Sequence, residues 1–391
     1  MRISDKKRSA QLLRLQFASI VMVVALTIAS IGLFFFKQQN ADSNQKVAKE
    51  VNQSTSVPLS PTASASPVNL SKSINTEKLA YNITTSPKFT QSKELQNIVD
   101  EIVDLTKDKK FPTQPLSITL IDLKTGKIAG YQQEKLRYPA SVVKLFWMVY
   151  LYAQIEKGIL SEADFTQYLD DMIQKSDNEA ASKIIDKITN TEYQENIQAK
   201  ESKSWKNKRL QVNQYFQQAG YDNINLSQKT FPIPSLNLFK PAGSELILRE
   251  NPKSSKPIRN KISTQQVARL LYEIYSNQSV SSISSEKMTK WLTIDSKTRN
   301  LKRDDKNPNV FNPVRGFLSA SLPDNADFMG KAGWTSNSRN DAGIITTPDG
   351  KAYILVVFAD DKAYASDWKM FPQISELVFQ RMTDKQLTIN N

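Results

Sequence analysis

The chain has 391 residues, 39% hydrophobic and 23% charged, an ordinary globular composition with enough apolar residues for a sizeable core. It contains neither Cys nor His, which excludes disulfides, thiolate nucleophiles, thiolate or imidazole metal sites and a Ser-His-Asp triad. The net charge of +13 permits an anionic partner without selecting one. No nucleic-acid fold signature is present and the basic residues are spread along the chain, so nucleic acid is not an expected partner.

Residues 1–16 carry Arg2, Lys6, Lys7, Arg8 and Arg14 and read as a basic cytoplasmic N-terminus. Residues 17–36, FASIVMVVALTIASIGLFFF, contain no charge. As a helix they span roughly 30 Å, the thickness of a bilayer's hydrocarbon core. A cleaved signal peptide is the alternative, but its apolar stretch is usually shorter and Phe34-Phe35-Phe36-Lys37 is not a small-residue cleavage site. The segment therefore reads as a single-pass signal-anchor that leaves the rest of the chain outside the cytoplasm. Residues 37–90, rich in Ser, Thr, Asn, Gln and Pro, offer little apolar surface to offset ordering entropy and read as a flexible tether.

A folded domain is expected over 91–391. Helical periodicity runs from Gln91 to Asp108; Leu116 to Leu123 and Lys127 to Gln132 read as a hairpin about Thr125-Gly126. Ser141 to Lys157 is apolar nearly all round, so this helix belongs in the middle of a domain, ended by Gly158. Helices follow from Ser161 as a cap to Gln174, from near Asn178, from Trp205 to Ala219, from Thr264 to Ser276 and from Ser285 to Thr293. Strands return at Ala326 to Trp334, Asp341 to Thr347 and Ala352 to Ala359. A last helix runs from Ser366 to Thr383 with a kink at Pro372. This order predicts a two-lobed domain of mixed α/β (α+β) class. A five-stranded antiparallel sheet is flanked by the terminal helices, and the middle helices form an all-helical lobe. Lys200 to Arg209 is a basic run read as a solvated helix start, with contact to an anionic polymer or lipid headgroups as the alternative.

Three short elements carry chemistry. Ser141 and Lys144 lie three apart, on one helix face, and a Lys among Val143, Leu145 and Phe146 has reason to lose its proton and act as a base. The backbone N–H groups at that helix start suit an oxyanion. Ser176-Asp177-Asn178 sits at a junction between helices, where Ser176 can pass a proton and Asn178 can hold Lys144 and a substrate amide. Lys331-Ala332-Gly333 lies on a late strand; Lys331 offers charge to a carboxylate and Gly333 lets a substrate lie close. Taken singly, each has a plain reading: a Ser cap with a snorkelling Lys, a helix cap, an exposed strand Lys. Lys124-Thr125-Gly126 precedes Ser141 and lies in a hairpin turn, the wrong order and setting for the third element.

In order and setting these elements resemble the Ser-x-x-Lys, Ser-Asp-Asn and Lys-Thr-Gly set of the class A β-lactamases and their penicillin-binding relatives, over residues 92 to 384. The resemblance implies a serine hydrolase acting through an acyl-enzyme. Ser141 attacks, Lys144 takes the proton, Ser176 relays it, and the backbone N–H groups of Ser141 and Trp334 receive the oxyanion, with Trp334 at the cleft edge. The pattern departs in two places. Ala332 stands where the family has a hydroxyl, with Thr335 or Ser336 as candidate replacements. In Ile233-Pro234-Ser235-Leu236-Asn237, Ile233 occupies the position of the family's deacylating glutamate, and Glu245 or Asp222 are the nearest acids to consider. The expected substrate is a β-lactam or, alternatively, a peptidoglycan peptide cleaved by a D,D-carboxypeptidase. A wall-binding protein without catalysis is a further alternative. No metal or organic cofactor and no partner chain are expected.

Overall fold

The computed structural model describes residues 79–83, 85–249, 258–307 and 310–383. The basic N-terminus, the apolar segment 17–36 and the tether up to residue 78 lie outside the described residues. Among the described residues no helix is long and apolar enough to cross a membrane.

The first element is a strand missed by periodicity because it is so short: β1 (Thr90–Gln91). Ser92 then caps α1 (Lys93–Asp108) by accepting from the Leu95 N–H, and Leu95, Ile98, Val99 and Ile102 form its buried stripe. β2 (Leu116–Asp122) and β3 (Lys127–Tyr131) make the expected hairpin. At its turn Asp122 accepts from the backbone N–H groups of Lys124 and Thr125, and Gly126 takes φ +67°. The literal Lys-Thr-Gly is thus a turn.

The apolar helix expected from Ser141 starts one turn later. Ala140–Val143 is a 3-10 turn, and α2 (Lys144–Glu156) continues from it. Gly158, at φ +68°, follows the C-terminus. Ser161 makes no side-chain cap; a 3-10 turn over Glu162–Asp164 intervenes before α3 (Thr166–Ile173). Asp177 caps α4 (Asn178–Thr189) by accepting from Ala180 N–H. The single helix expected from Trp205 to Ala219 is two, α5 (Ala199–Arg209) and α6 (Gln211–Gln217), broken at Leu210. They bury different sets of side chains: Trp205 and Arg209 from the first, Val212, Tyr215 and Phe216 from the second.

Ser263 and Gln266 form a reciprocal capping box that starts α7 (Thr264–Tyr275). Ser281 caps α8 (Ser282–Leu292), three residues earlier than expected. α9 (Ser296–Asp304) was not expected: Arg299 is its one buried side chain, so there is no apolar period to read. The strands β4 (Asp327–Thr335), β5 (Ser338–Thr346) and β6 (Ala352–Ala359) follow, then α10 (Lys362–Ser366) and α11 (Met370–Thr383). Pro372 falls in the first turn of α11, where its missing N–H costs no helical bond, so it does not act as the expected mid-helix kink.

The sheet has six strands in the order β1-β3-β2-β6-β5-β4, against the five expected. The sixth is β1, which pairs parallel with β3; every other pairing is antiparallel. Period-two alternation sends the strand residues to two hydrophobic clusters, one on each face. On β6, Tyr353, Leu355 and Val357 join the cluster packed under α1 and α11. Ile354, Val356 and Phe358 join the cluster of the helical lobe, with α2 and α7. Tyr81, in the stretch read as tether from its composition, is buried in that second cluster, and its hydroxyl donates to Glu273 at 2.5 Å.

Candidate active site

The three elements meet at one place. Lys144 is buried at the start of α2, and its Nζ donates to the Ser176 carbonyl at 2.6 Å, the Asp177 carbonyl at 3.1 Å and Asn178 Oδ1 at 2.9 Å. Lys331 Nζ reaches across from β4 to Ser176 Oγ at 2.8 Å and to the Ala332 carbonyl at 3.0 Å. Ser176 is therefore held by both lysines, one on its backbone and one on its hydroxyl. Its φ of +58° turns the chain between α3 and α4 so that both groups are presented at once. Ser141 is half-buried in the 3-10 turn, one turn of chain from Lys144, and its hydroxyl makes no hydrogen bond to another described residue.

Both lysines are shifted toward neutrality. Burial, then the charge of Lys331, pushes Lys144 well below the usual amine range, and Asp177 opposes them. Three acceptors would suit an ammonium, but the net direction is toward a free amine able to accept a proton. Burial brings Lys331 down to about 7; the Asp341 carboxylate resists this and the Lys302 charge adds to it. Asp341 is itself buried and raised to about 7 by desolvation, against hydrogen bonds from the N–H groups of Leu318 and Ala342.

Gly333 explains how the strand reaches the turn that carries Ser141. A Cβ there would lie 2.9 Å from the Pro139 carbonyl oxygen and 2.9 Å from Ser141 N, so only glycine permits this contact without displacement. Lys331 and Gly333 thus lie on the face of β4 that meets the 3-10 turn before α2. By the same alternation Trp334 points to the opposite face, where its indole N–H donates to the Ala365 carbonyl at 2.8 Å. Its side chain does not edge the cleft. Its backbone does face an open side: the Phe328 carbonyl accepts from Ile294 N–H on the outer edge of β4, and main-chain groups two residues apart point the same way. The N–H of Trp334 falls in this series. Thr335 Oγ1 is shared with Ser338 Oγ and accepts from Asn337 N–H, which commits it to the hairpin turn rather than to the role of the missing hydroxyl.

Ile233 is fully buried. Its backbone pairs in both directions with Leu238, closing a loop over 233–238. Glu179 latches this loop, accepting from Ser235 N–H at 2.6 Å and from the Ser235 hydroxyl. Neither acid considered as a replacement base is placed for that work. Glu245 is buried in an ion pair with Arg209 at 2.9 Å and accepts from Gln228 at 2.8 Å. Asp222 is exposed on the loop that Gln266 holds through the Asp222 carbonyl.

Some neighbours of the site were not foreseen. Phe311 lies with its ring centroid 5.8 Å from Lys331 Nζ, and nothing in its sequence context marks it. Lys302 stands half-buried on α9, the helix without an apolar stripe. Asp341 did carry a signal, a single acid at the head of an apolar strand.

The β-lactamase enzyme family model matches residues 92–168 and 161–382. Among solved structures, the β-lactamase from Sphaerobacter thermophilus DSM 20745 is 17% identical, with 73% of this chain and 97% of that one covered at a TM-score of 0.50. The TLA-1 extended-spectrum β-lactamase is 15% identical, with 75% and 100% covered at 0.51. PBP-A is 18% identical, with 75% and 98% covered at 0.49. At such identities the first two show the shared fold. No curated protein matches the sequence. With the family's span running through all three elements of the site, from α1 to α11, this chain belongs to the β-lactamase enzyme family.

Proposed function

We propose that the chain is a serine hydrolase that is acylated at Ser141 by β-lactams and releases the acyl group slowly. The observation that carries this is the Lys144–Ser176–Lys331 bridge, which gathers a base, a proton relay and a carboxylate partner beside a half-exposed hydroxyl. In the first step Ser141 Oγ attacks the lactam carbonyl carbon and its proton passes to neutral Lys144. The new C–O bond forms, the ring C–N bond breaks, and the departing nitrogen takes a proton delivered from Lys144 through Ser176. The N–H groups of Ser141 and Trp334 receive the developing oxyanion. Lys331 and Asn178 hold the substrate's carboxylate and amide.

Release of the acyl group needs an activated water, and the position where the family has its glutamate holds buried Ile233. This supports a long-lived adduct. It also supports a second reading, in which the natural substrate is a cell-wall peptide processed by a D,D-carboxypeptidase and β-lactams act as slow inhibitors. Residues 17–36, apolar and preceded by basic residues, support a single-pass attachment that holds the domain at the outer face of a membrane.

Intact-protein mass measured over time after mixing with a penicillin tests the reading. A single added mass that persists, absent in Ser141→Ala, is the expected result. Neither adduct nor hydrolysis would overturn it. Release of terminal D-alanine from a peptide would select the second reading over the first. Recovery in the membrane fraction after a high-salt wash, and loss from it on deleting 17–36, checks the attachment.

A further inference from the structure

A groove of about 690 Å³ lies on the helical lobe, between α5 and the segment leading to Arg249. Lys203, Lys206 and Arg249 stand on its wall, Ile197 and Leu246 contribute apolar surface, and Glu195 is its one lining acid. None of the three cations forms an ion pair with a described residue. Lys206 Nζ reaches only the Arg249 carbonyl at 3.4 Å, and Arg249 Nε bonds the Leu246 carbonyl. Lys200 extends the same row one helical turn toward the N-terminus, with Glu201 beside it.

The inner side of α5 does the folding. Trp205 is buried, with its indole N–H on the Glu192 carbonyl at 2.8 Å. Arg209 is fully buried, paired with Asp186 at 2.7 Å and Glu245 at 2.9 Å. The fold therefore asks little of Lys203 and Lys206, and three cations without an ion pair to a described residue stand along one concavity. A concave site with cations in a row and carbon-lined walls fits a chain, not a plane. Phosphates of a strand can each meet a cation while the intervening carbons lie on Ile197 and Leu246; a lipid surface would need these lysines on a convex or flat face.

We propose that this groove binds a linear phosphodiester polyanion and so holds the enzyme against a polymer of that chemistry while the cleft works on another substrate. The site is independent of Ser141 chemistry.

The test uses the full chain in phosphatidylcholine nanodiscs, with fluorescently labelled linear poly(glycerol phosphate) as the probe, followed by anisotropy at low and at physiological salt. Binding should weaken steeply with added salt, and Lys203→Glu with Lys206→Glu should lower affinity about tenfold or more. The same charge change at exposed Lys109 and Lys124 should have little effect, and acylation at Ser141 should be unchanged in both variants. Three results would overturn the proposal: no binding at low salt, equal loss in the two double variants, or displacement of poly(glycerol phosphate) at equal phosphate by vesicles containing one-quarter phosphatidylglycerol. The last would identify a lipid surface as the ligand. Because the readout is binding, its outcome is separable from any failure of β-lactam acylation.

Discussion

The junction before α4 and the loop that latches onto it sit side by side and are built in opposite ways. At the junction, two lysine side chains, two carbonyls, an amide and a hydroxyl are tied together by hydrogen bonds of 2.6 to 3.1 Å. One residue along, Glu179 fastens a loop whose critical position is a buried isoleucine. On the proposed reading, forming the acyl bond would draw on the first region and breaking it on a polar group in the second. The contrast turns the two half-reactions into separate questions, each open to its own substitution.

The sharpest way to break this contrast is through the first region. Ser141→Ala should abolish the covalent adduct by mass. Lys144→Met should slow acylation by roughly a thousandfold, the scale of a lost general base. It should also lower the melting temperature, because the Ser176 and Asp177 carbonyls and Asn178 Oδ1 lose their donor. Normal acylation in Lys144→Met would remove the base from the mechanism.

Gly333→Ala probes the contact that joins the strand to the nucleophile turn. With backbone atoms only 2.9 Å from the new methyl, the turn must shift. Single-turnover acylation should slow by about ten- to a hundredfold, and chemical denaturation should show a loss of about 1–3 kcal/mol. Unchanged acylation would mean that the spacing of Ser141 and Trp334 N–H does not matter.

Ile233→Glu sharpens the contrast from the other side. It should shorten the adduct lifetime by about tenfold or more, with stability falling by about 1–3 kcal/mol as a carboxylate enters an apolar position. An unaltered lifetime at full occupancy would show that the loop is not where water is activated.

The smallest effect is in pH. Lys331, lowered to about 7, is charged below that value and neutral above it. The acylation rate of an anionic β-lactam relative to its neutral ester should therefore fall as pH rises through about 7. Taking the ratio cancels the ionisation of Lys144. Asp341 favours the Lys331 ammonium, so Asp341→Asn should move this fall to lower pH. A ratio flat with pH would exclude Lys331 as the carboxylate's partner.

Much of this molecule was readable before any coordinates, where local pattern and local physics agree. The apolar run from Val142 to Ile155 reads as a central helix, and the short unbroken apolar run Ala352–Ala359, bounded by turn residues, as a strand packed on both faces. The absence of Cys and His narrowed the chemistry of a hydrolase to a lysine-activated hydroxyl or to carboxylates alone. Other features carried no local signal. α9 has no apolar stripe, β1 is two residues long, and the break between α5 and α6 reflects what each helix packs against. Only the assembled fold decided that Lys331 would meet Ser176 across 155 residues of sequence, that Trp334 would turn away while its backbone stayed, and that Thr335 and Glu245 were already committed elsewhere. The reason is physical: periodicity records which face of an element is buried, whereas the partners of a side chain are set by which elements the core brings together.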